Sequence, residues 1–385
     1  MRSDFFTTHV YKMGPKLGLY LNKNFMKEIK INIGEPIKIF IKSEGIEDSF
    51  LSKMNSLISL KRKVISLFKL VPDKAIDMRI EKFIFSKRPL HLFNDGRIDL
   101  LYLIPEKNRL GFEIFVEEFN KKDSIWLKAW YCHNRGSCRE IELKRFLKIE
   151  KFGKFLGLMQ SEGTKSNIKV MEFCNKSIQE HLDFLGYLDE IGISKELIFA
   201  KLDYHPRIKD VQDIINLFEK KTGIPIKYSV MSPTSGGGYG FKMIVRSQLL
   251  TEIVNNSLNK IMNLVKEQIF EKDINKLRNA FLSKILSGDG NLEIITKNRK
   301  TPQARLKICD GSEKYRADYK SLMEVYGLKP HIYAKENFVR SYVNYNFVKE
   351  LIKMGAFENN PNYNKLLKYL ELIEGSPTLK IPSGL

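Results

Sequence analysis

Cysteine is scarce in this sequence, and long apolar runs are missing from it. Four cysteines in 385 residues are too few for the disulfide framework of many secreted proteins. No stretch comes near the ~18 uncharged apolar residues needed to cross a bilayer. The opening "MRSDFFTTHVYK" lacks the long apolar segment of a secretory signal. We therefore predict a cytoplasmic protein.

Other familiar sites also lack their usual residues. "CHNRGSC" (Cys132 to Cys138) has no second cluster with metal-ligand spacing, so we do not predict a structural zinc site there. The loop "SGGGYG" (Ser235 to Gly240) lacks the lysine and hydroxyl of a P-loop and lies between two predicted strands, which favours a hairpin loop. The sequence ends without a His-Asn splice junction, so we expect a free-standing protein rather than an intein.

Positive charge is what the sequence has in excess. Sixty-five Lys and Arg against forty-five Asp and Glu give a formal net charge of +20 and a pI near 9.5. This surplus would attract polyanions, with nucleic acid first and an acidic membrane surface second. The alternative is a lysine-rich surface that is simply solvated.

The first 146 residues are predicted to form a β-rich module. Residues 16–42 alternate apolar and polar side chains on both sides of a short helical segment, which is typical of half-buried strands. Within it, residues 19–41 resemble the swapped-hairpin DNA-binding domains of the AbrB kind, so accessory DNA binding is one hypothesis for the module. A plain β-hairpin module is the preferred interpretation, and "NDG" (Asn94 to Gly96) predicts a hairpin turn.

The rest of the chain contains an internal repeat. Residues 147–270 and 271–385 each read as helix, strand, strand, helix, strand, strand, helix, although only one strand is clear before the middle helix of the first copy. A repeat of this length should be recognised before any other decision about the fold. We predict an α+β fold in which two pseudo-symmetric αββαββα repeats follow the β-rich module.

Each repeat opens with an apolar helix that ends in an acid and a glycine. The strings are "FLGLMQSEG", ending in Glu162 and Gly163, and "LSKILSGDG", ending in Asp289 and Gly290. We predict that both glycines are left-handed helix caps. A carboxylate at a helix C-terminus typically loses ~0.3–1 kcal/mol, and a divalent cation would remove this penalty.

The faces of these helices predict where the acids lie. Residues three, four and seven positions before each acid are apolar, so each acid ends an apolar stripe that must be buried. If the two stripes pack against each other, the carboxylates meet at one end and could hold metal ions across a phosphodiester. The alternative is two core helices with unrelated acidic ends.

These two strings, each opening such a repeat, resemble the motifs of a single-chain LAGLIDADG homing endonuclease. The resemblance covers roughly residues 147–373. It implies that the motif helices pack together, that Glu162 and Asp289 bind catalytic Mg²⁺, and that the strands form a saddle over double-stranded DNA. It further implies a monomer with internal pseudo-twofold symmetry, assisted by basic residues for which Lys165 and Lys307 are the candidates.

Two departures from the family motif bear on this interpretation. The sixth motif position, often acidic in the family, is Gln160 in the first copy and Ser287 in the second. The third position, where the family prefers glycine, is Gly157 and then Lys284. Lys284 lies ~140° round the helix from Asp289, so we expect it to point off the acid-bearing stripe, and it puts close helix packing in question.

Basic side chains alternate with apolar ones on the predicted strands, as a DNA-binding face requires. The alternative is the polar outer face of a half-buried sheet. The candidate DNA-binding residues are Lys169, Lys227, Lys242, Arg246, Lys297, Arg299, Lys300, Arg305, Lys307 and Arg340.

The leading hypothesis is a metal-dependent DNA endonuclease. The alternative is a nucleic-acid-binding protein on the same scaffold without cleavage, either a transcription regulator or an RNA-splicing maturase. Both acids favour the enzyme, whereas Lys284 and the N-terminal module favour the binding protein. A purely structural or protein-interaction role fits the charge least well.

Overall fold

The computed structural model describes residues 4–14, 16–21, 23–55, 57–83, 85–133, 138–163, 169–231, 238–297, 301–358 and 360–374. No helix in these ranges combines the length and hydropathy of a membrane span. The chain divides into two compact units. Unit 1 comprises Met1–Arg88 and Pro105–Leu143, and unit 2 comprises Pro89–Ile104 and Lys144–Leu385.

Unit 1 begins with a six-stranded sheet and two short helices. In chain order these elements are β1 (Phe6–Met13), β2 (Lys16–Tyr20), α1 (Lys23–Glu28), β3 (Pro36–Ser43), β4 (Ile46–Lys53), β5 (Leu57–Ser59), α2 (Arg62–Leu67) and β6 (Ala75–Lys82). The strand order is β4-β3-β6-β1-β2-β5. Because β2 and β3 are not neighbours, the preferred interpretation of a plain hairpin over this stretch is wrong, and the strands interleave instead.

This sheet is itself built from a repeat, β-β-α-β, that occurs twice. Ile39 lies opposite Ile80 and Ile41 lies opposite Met78. A shift of 39 residues along the sequence converts the first pair into the second. All four side chains are fully buried. The two halves of the sheet are therefore related by an internal pseudo-twofold axis, and the apolar residues of both halves form one core.

The segment that follows returns to unit 2. It contains β7 (Phe93–Asn94), β8 (Arg97–Asp99) and α3 (Leu100–Leu103). The predicted turn at "NDG" joins β7 to β8, with Asp95 and Gly96 at φ 50° and 66°. Positive φ at both central residues is what a tight hairpin of this kind needs.

The rest of unit 1 is a three-stranded antiparallel sheet. It consists of β9 (Phe115–Lys121), β10 (Ser124–Cys132) and β11 (Cys138–Lys144), in the order β11-β10-β9. Cys132 forms a disulfide, whereas Cys174 and Cys309 are free. A disulfide sulfur is not a zinc ligand, and the described residues contain no group of three His, Cys, Asp or Glu that could hold a metal ion.

Unit 2 takes up residues 89–104 through a strand pair and a buried ion pair. Strand β12 (Phe146–Lys148) pairs with β8. The guanidinium of Arg145 donates to both carboxylate oxygens of Asp99, with an Nη2 to Oδ2 distance of 2.6 Å, and Asp99 is buried. The predicted boundary at residue 146 is thus close to the observed one, but the segment before residue 105 belongs with the later unit.

The first repeat of unit 2 contains four helices and a four-stranded sheet. Its elements are α4 (Ile149–Glu162), β13 (Met171–Asn175), α5 (Ile178–Ile191), β14 (Ile198–Tyr204), α6 (Val211–Thr222), β15 (Ile226–Met231), β16 (Tyr239–Val245) and α7 (Gln248–Val265). The strand order is β13-β16-β14-β15.

The second repeat follows the predicted order of elements. It contains α8 (Lys272–Asp289), β17 (Gly290–Ile295), β18 (Gln303–Cys309), α9 (Glu313–Val325), β19 (His331–Tyr333), β20 (Phe338–Val343), α10 (Tyr345–Lys353) and α11 (Asn362–Glu374). Its sheet has the order β17-β18-β20-β19, and all its pairs are antiparallel. The α+β fold class is confirmed.

The first repeat departs from the predicted αββαββα order in two ways. Strand β14 was not predicted, and it runs parallel to β15, so α6 serves as the crossover that a parallel pair requires. Gly163 forms a single antiparallel bridge to Phe173 where the second repeat has a full strand starting at Gly290. The first strand of this repeat is therefore reduced to one bridge in the described residues.

Candidate functional site

Helices α4 and α8 pack against each other through small residues. A Cβ on Gly153 would lie 2.9 Å from the Cβ of Ala280, and one on Gly157 would lie 3.1 Å from the Cβ of Lys284. In both pairs the two positions are 127 residues apart, as are the two acids. Equivalent positions of the two repeats thus face each other, as a pseudo-twofold axis between the helices requires.

The surface that joins the helices is not the predicted one. The apolar stripes were predicted to pack against each other, but Phe155 of the first stripe stacks on Phe184 of α5, with ring centroids 6.2 Å apart. The stripe on α4 therefore packs within its own repeat. The glycine-containing ridge, one step round the helix, makes the contact between repeats because only small residues let two helix backbones approach this closely.

The two acids nevertheless meet at one end of the helix pair. The Oε1 atom of Glu162 lies 3.2 Å from where a Cβ on Gly288 would be, and Gly288 immediately precedes Asp289. Both acids are half-buried. The two helix ends therefore adjoin, as predicted.

The glycines after the acids do not have the predicted conformation. Gly163 has φ −81° and ψ 143°, and Gly290 has φ −85° and ψ 146°, so both are extended rather than left-handed. The chain passes directly from helix into strand pairing at these positions. Glycine is required for space instead, because an added Cβ would collide with the carbonyl oxygen of Met159 or Leu286.

The environment of Glu162 disfavours its charge. Burial raises the pKa of Glu162 to about 6, and the nearby carboxylate of Glu180 adds to the effect. A cation beside Glu162 would offset both causes, since it favours the ionised form. The donor set is also suitable for Mg²⁺, which prefers oxygen ligands and commonly takes one or two carboxylates with water and phosphate oxygens completing its shell.

Lys284 is buried and paired. Its Nζ lies 3.1 and 3.3 Å from the two carboxylate oxygens of Glu180 and 3.0 Å from Oδ2 of Asp183. Burial alone would lower the pKa of Lys284, but the two carboxylates raise it above its usual value. The helices stay close because glycine, not a second lysine, stands at the facing position 157.

Gln160 also reaches across to the other repeat. Its Nε2 donates to the hydroxyl of Tyr319 on α9 at 3.2 Å, and both residues are buried. Neither Tyr319 nor the acids that bind Lys284 were singled out from the sequence. The spacing of α5 and α9 gave no signal for them, because their roles depend on which helix of the other repeat they meet.

The outer face of the second sheet carries the basic residues that were predicted there. Lys307 lies opposite Arg340, and its Nζ is 3.9 Å from the centroid of the Phe338 ring. Arg340 donates to the hydroxyl of Tyr333 at 2.7 Å. Neither cation forms an ion pair with an acid in the described part of the chain, so both are available to an anionic ligand.

Lys307 is also close to the second acid. Burial raises the pKa of the Cys309 thiol, and the charges of Lys307 and Asp289 act on it in opposite directions. Cys309 therefore has both side chains as neighbours. The third predicted base of this sheet, Arg305, is paired with Glu293 at 3.0 Å, and Lys297 lies exposed beyond the end of β17.

The first sheet has fewer unpaired cations. Lys242 lies 3.9 Å from Asp203, which also binds Lys201 at 2.7 Å. Lys242 and Asp203 line a cavity of about 700 Å³ together with Glu162 and Lys176, so the first acid opens onto this face. Lys176 was not predicted as a site residue.

The remaining predicted bases are dispersed. Arg246 stacks on Phe199 at 4.1 Å, and Lys169 and Lys227 are exposed. Lys165, Arg299 and Lys300 lie outside the described residues.

Comparison with known proteins gives matches among solved structures. No protein-family model and no curated protein matches the sequence. Seventeen chains of solved structures match. They include LAGLIDADG homing endonucleases.

Three of these matches illustrate the similarity. The meganuclease I-SmaMI bound to DNA with a TTCT central four is 12% identical, with a TM-score of 0.27, covering 57% of this chain and 88% of that one. Its complex with a TTGT central four gives 12%, 0.30, 58% and 88%. The I-LtrWI homing endonuclease bound to target DNA gives 13%, 0.29, 59% and 92%. At these TM-scores we base the functional proposal on the geometry of this chain alone.

Proposed function

We propose that this protein is a LAGLIDADG-type DNA endonuclease that hydrolyses phosphodiester bonds in a long duplex target with the help of Mg²⁺. The observation that carries the proposal is the meeting of Glu162 and Asp289 at one end of a pseudo-symmetric helix pair. Two carboxylates at such a point are suited to binding metal ions across a phosphodiester.

The residues around the acids support hydrolysis of a phosphodiester. Glu162 and Asp289 would hold the cation, which when bound polarises the phosphate and lowers the pKa of a water ligand. Lys307, close to Asp289 and unpaired with any described acid, would offset negative charge that develops on the phosphate. Lys165 keeps its predicted assisting role as a hypothesis.

The two sheets would provide the DNA-binding saddle. Lys307 and Arg340 on the second sheet and Lys242 on the first are positioned on outer strand faces, where phosphate contacts would give affinity and base contacts specificity. The internal repeat supplies both halves of such a saddle from one chain, so a monomer suffices. Cytoplasmic localisation stays part of the proposal.

Unit 1 is proposed as an accessory DNA-binding module. Residues 1–83 contain sixteen Lys and Arg against nine Asp and Glu, and the module is a pseudo-twofold repeat, which matches the approximate twofold symmetry of a DNA duplex. Deletion of residues 1–83 would test this role through the affinity for duplex DNA.

The test of the main proposal starts from selection. Bound sequences are selected from random duplexes in Ca²⁺, and the selected duplexes are then incubated with the protein in Mg²⁺. We expect cleavage of both strands by the unaltered protein. A protein that selects a sequence and cuts nothing would instead be the binding protein of the alternative hypothesis.

The paired variant Glu162→Gln with Asp289→Asn should abolish cleavage. Its affinity for the selected duplex should stay within about twofold, because phosphate contacts by Lys and Arg dominate binding. Its melting temperature should not fall, since removing the Glu162 charge relieves burial and repulsion from Glu180. Cleavage that survives both substitutions would rule out the proposed centre.

A further inference from the structure

Each motif helix sends one polar side chain across to the middle helix of the opposite repeat. Gln160 of α4 donates to Tyr319 of α9 at 3.2 Å. Lys284 of α8 binds Glu180 and Asp183 of α5 at 3.1 and 3.0 Å. The two contacts are reciprocal, since the first repeat reaches into the second and the second into the first.

The residues that these side chains contact are neighbours of the acids. Besides burial, the charge of Glu180 acts on Glu162 and raises its pKa. In the same way Asp289 acts on Tyr319 and contributes to the raised pKa of that hydroxyl. Lys284 thus binds the neighbour of Glu162, and Gln160 binds the neighbour of Asp289.

Stability alone is a weak explanation for the lysine. The side chain of Lys284 is 3% exposed and that of Glu180 10% exposed, and replacing a buried ion pair by apolar residues is often neutral or stabilising. The contact is also more specific than packing requires, because Lys284 engages both oxygens of Glu180. An engaged Glu180 is held away from any cation at Glu162, which leaves Glu162 as the available ligand.

We propose that Gln160 and Lys284 are positioning residues, which hold Tyr319 and Glu180 in place beside Asp289 and Glu162 so that each motif helix orients the acid of the other repeat. This inference rests on the proposed function, because it assigns a role in cation binding by the two acids. Neither residue touches the substrate. The two departures from the family motif, at its sixth and third positions, therefore have one common purpose.

The first experiment measures Mn²⁺ binding to the protein alone by electron paramagnetic resonance. We expect Lys284→Met to weaken binding at least fivefold, because Glu180 is released to compete with Glu162. Gln160→Leu should weaken it similarly by freeing Tyr319 beside Asp289. The matched control is Lys151→Met, which removes an ion pair with Glu190 (3.3 Å) between the same two helices, α4 and α5, at their far end and should leave Mn²⁺ binding unchanged.

A double variant separates positioning from stability. Lys284→Met with Glu180→Gln removes the uncompensated buried charge, so its melting temperature should recover from that of Lys284→Met. Its Mn²⁺ affinity should remain low, because Glu162 has lost its oriented neighbour. Recovery of both quantities would show that Lys284 only stabilises the fold, and the inference would be overturned.

Cleavage of the selected duplex provides the second readout. In Lys284→Met we expect the Mg²⁺ midpoint of cleavage to rise several-fold while the affinity for DNA in Ca²⁺ is unchanged. An unchanged midpoint in both Lys284→Met and Gln160→Leu would overturn the inference while the endonuclease proposal stands. An unaltered protein that binds Mn²⁺ but cuts nothing would contradict the endonuclease proposal, and the Mn²⁺ measurements would still decide the positioning role.

Discussion

At the scale of single residues, His181 shows how the interior of the first repeat treats a titratable group. The side chain is fully buried among Phe173, Phe218 and Phe241, and its Nε2 lies 3.1 Å from the carbonyl oxygen of Asn175. Burial lowers its pKa to about 4 despite this hydrogen bond. The ring is therefore neutral in the folded protein, with Nε2 as the donor to that carbonyl.

This residue predicts a pH-dependent stability. The depressed folded pKa means that the unfolded chain takes up the proton first, so stability is complete above the ordinary pKa of 6.5 and falls as the pH drops from there towards 4. From the pKa difference, about 2 kcal/mol of the free energy of unfolding should be lost between pH 7 and pH 5. Urea unfolding at the two pH values measures it.

The matched variants are His181→Leu and His331→Gln. The first removes the buried imidazole, so it should lower stability at pH 7 through the lost hydrogen bond yet flatten the dependence on pH. The second alters an exposed histidine and should leave the profile as it is. An undiminished slope in His181→Leu would assign the effect to other groups.

At the scale of elements, the α4–α8 seam depends on the absence of a side chain at position 157. A Cβ there would lie 3.1 Å from the Cβ of Lys284 and closer still to the carbonyl of Phe281. Because this obstacle is backbone, it cannot rotate away. Gly157→Ala should therefore cost about 1–3 kcal/mol of unfolding free energy through overpacking and reduce cleavage by separating the two acids.

Gly186 on α5 is the control for this substitution. A Cβ at Gly186 meets nothing within 4 Å, so Gly186→Ala should stabilise the protein by roughly 0.5–1 kcal/mol through helix propensity. Thermal unfolding of both variants makes the comparison. Equal effects at the two positions would mean that the seam tolerates a methyl group.

How much of the elements could be predicted depended on whether their signal was local. The helices ending at Glu162 and Asp289 were found because their apolar spacing and their similarity to each other are visible in the sequence. Strand β14 was not found, because its run of apolar residues follows a helix directly and its partner β15 lies beyond an intervening helix. Parallel pairing of this kind has no local turn signal.

The site was predictable only in part for a related reason. The positions of the two acids follow from the motif, whereas Glu180, Asp183 and Tyr319 acquire their roles through contacts between repeats. The repeat in unit 1 did have a signal, since apolar residues recur at a spacing of 39 residues, as at Ile39 and Met78. It was overlooked because the two halves differ in most of their polar residues.

At the scale of the whole molecule, charge predicts how the protein binds DNA. The net charge of +20 and the unpaired cations Lys307 and Arg340 imply that binding releases counterions from the phosphates. The affinity for duplex DNA should fall by about 10³-fold or more between about 50 and 200 mM salt if six or more phosphates are contacted. Fluorescence anisotropy titrations over this range test it.

A double-variant comparison refines the prediction. Lys307→Met with Arg340→Met should reduce the dependence of binding on salt by about two counterions, whereas Arg305→Met, which removes a cation already paired with Glu293, should change it less. A dependence that is flat in the unaltered protein would contradict the nucleic-acid saddle.

The lysine that faces a glycine across the helix seam has a consequence for how such a protein could arise. In an assembly of two identical chains, positions 157 and 284 would have to be the same residue, giving either two glycines or two opposed ammonium groups at one crossing point. A large cationic side chain on one side and empty space on the other is accessible only when the halves are joined and mutate separately. Exchanging one half for a copy of the other would no longer restore a working interface, so the two halves have become obligate, non-interchangeable partners.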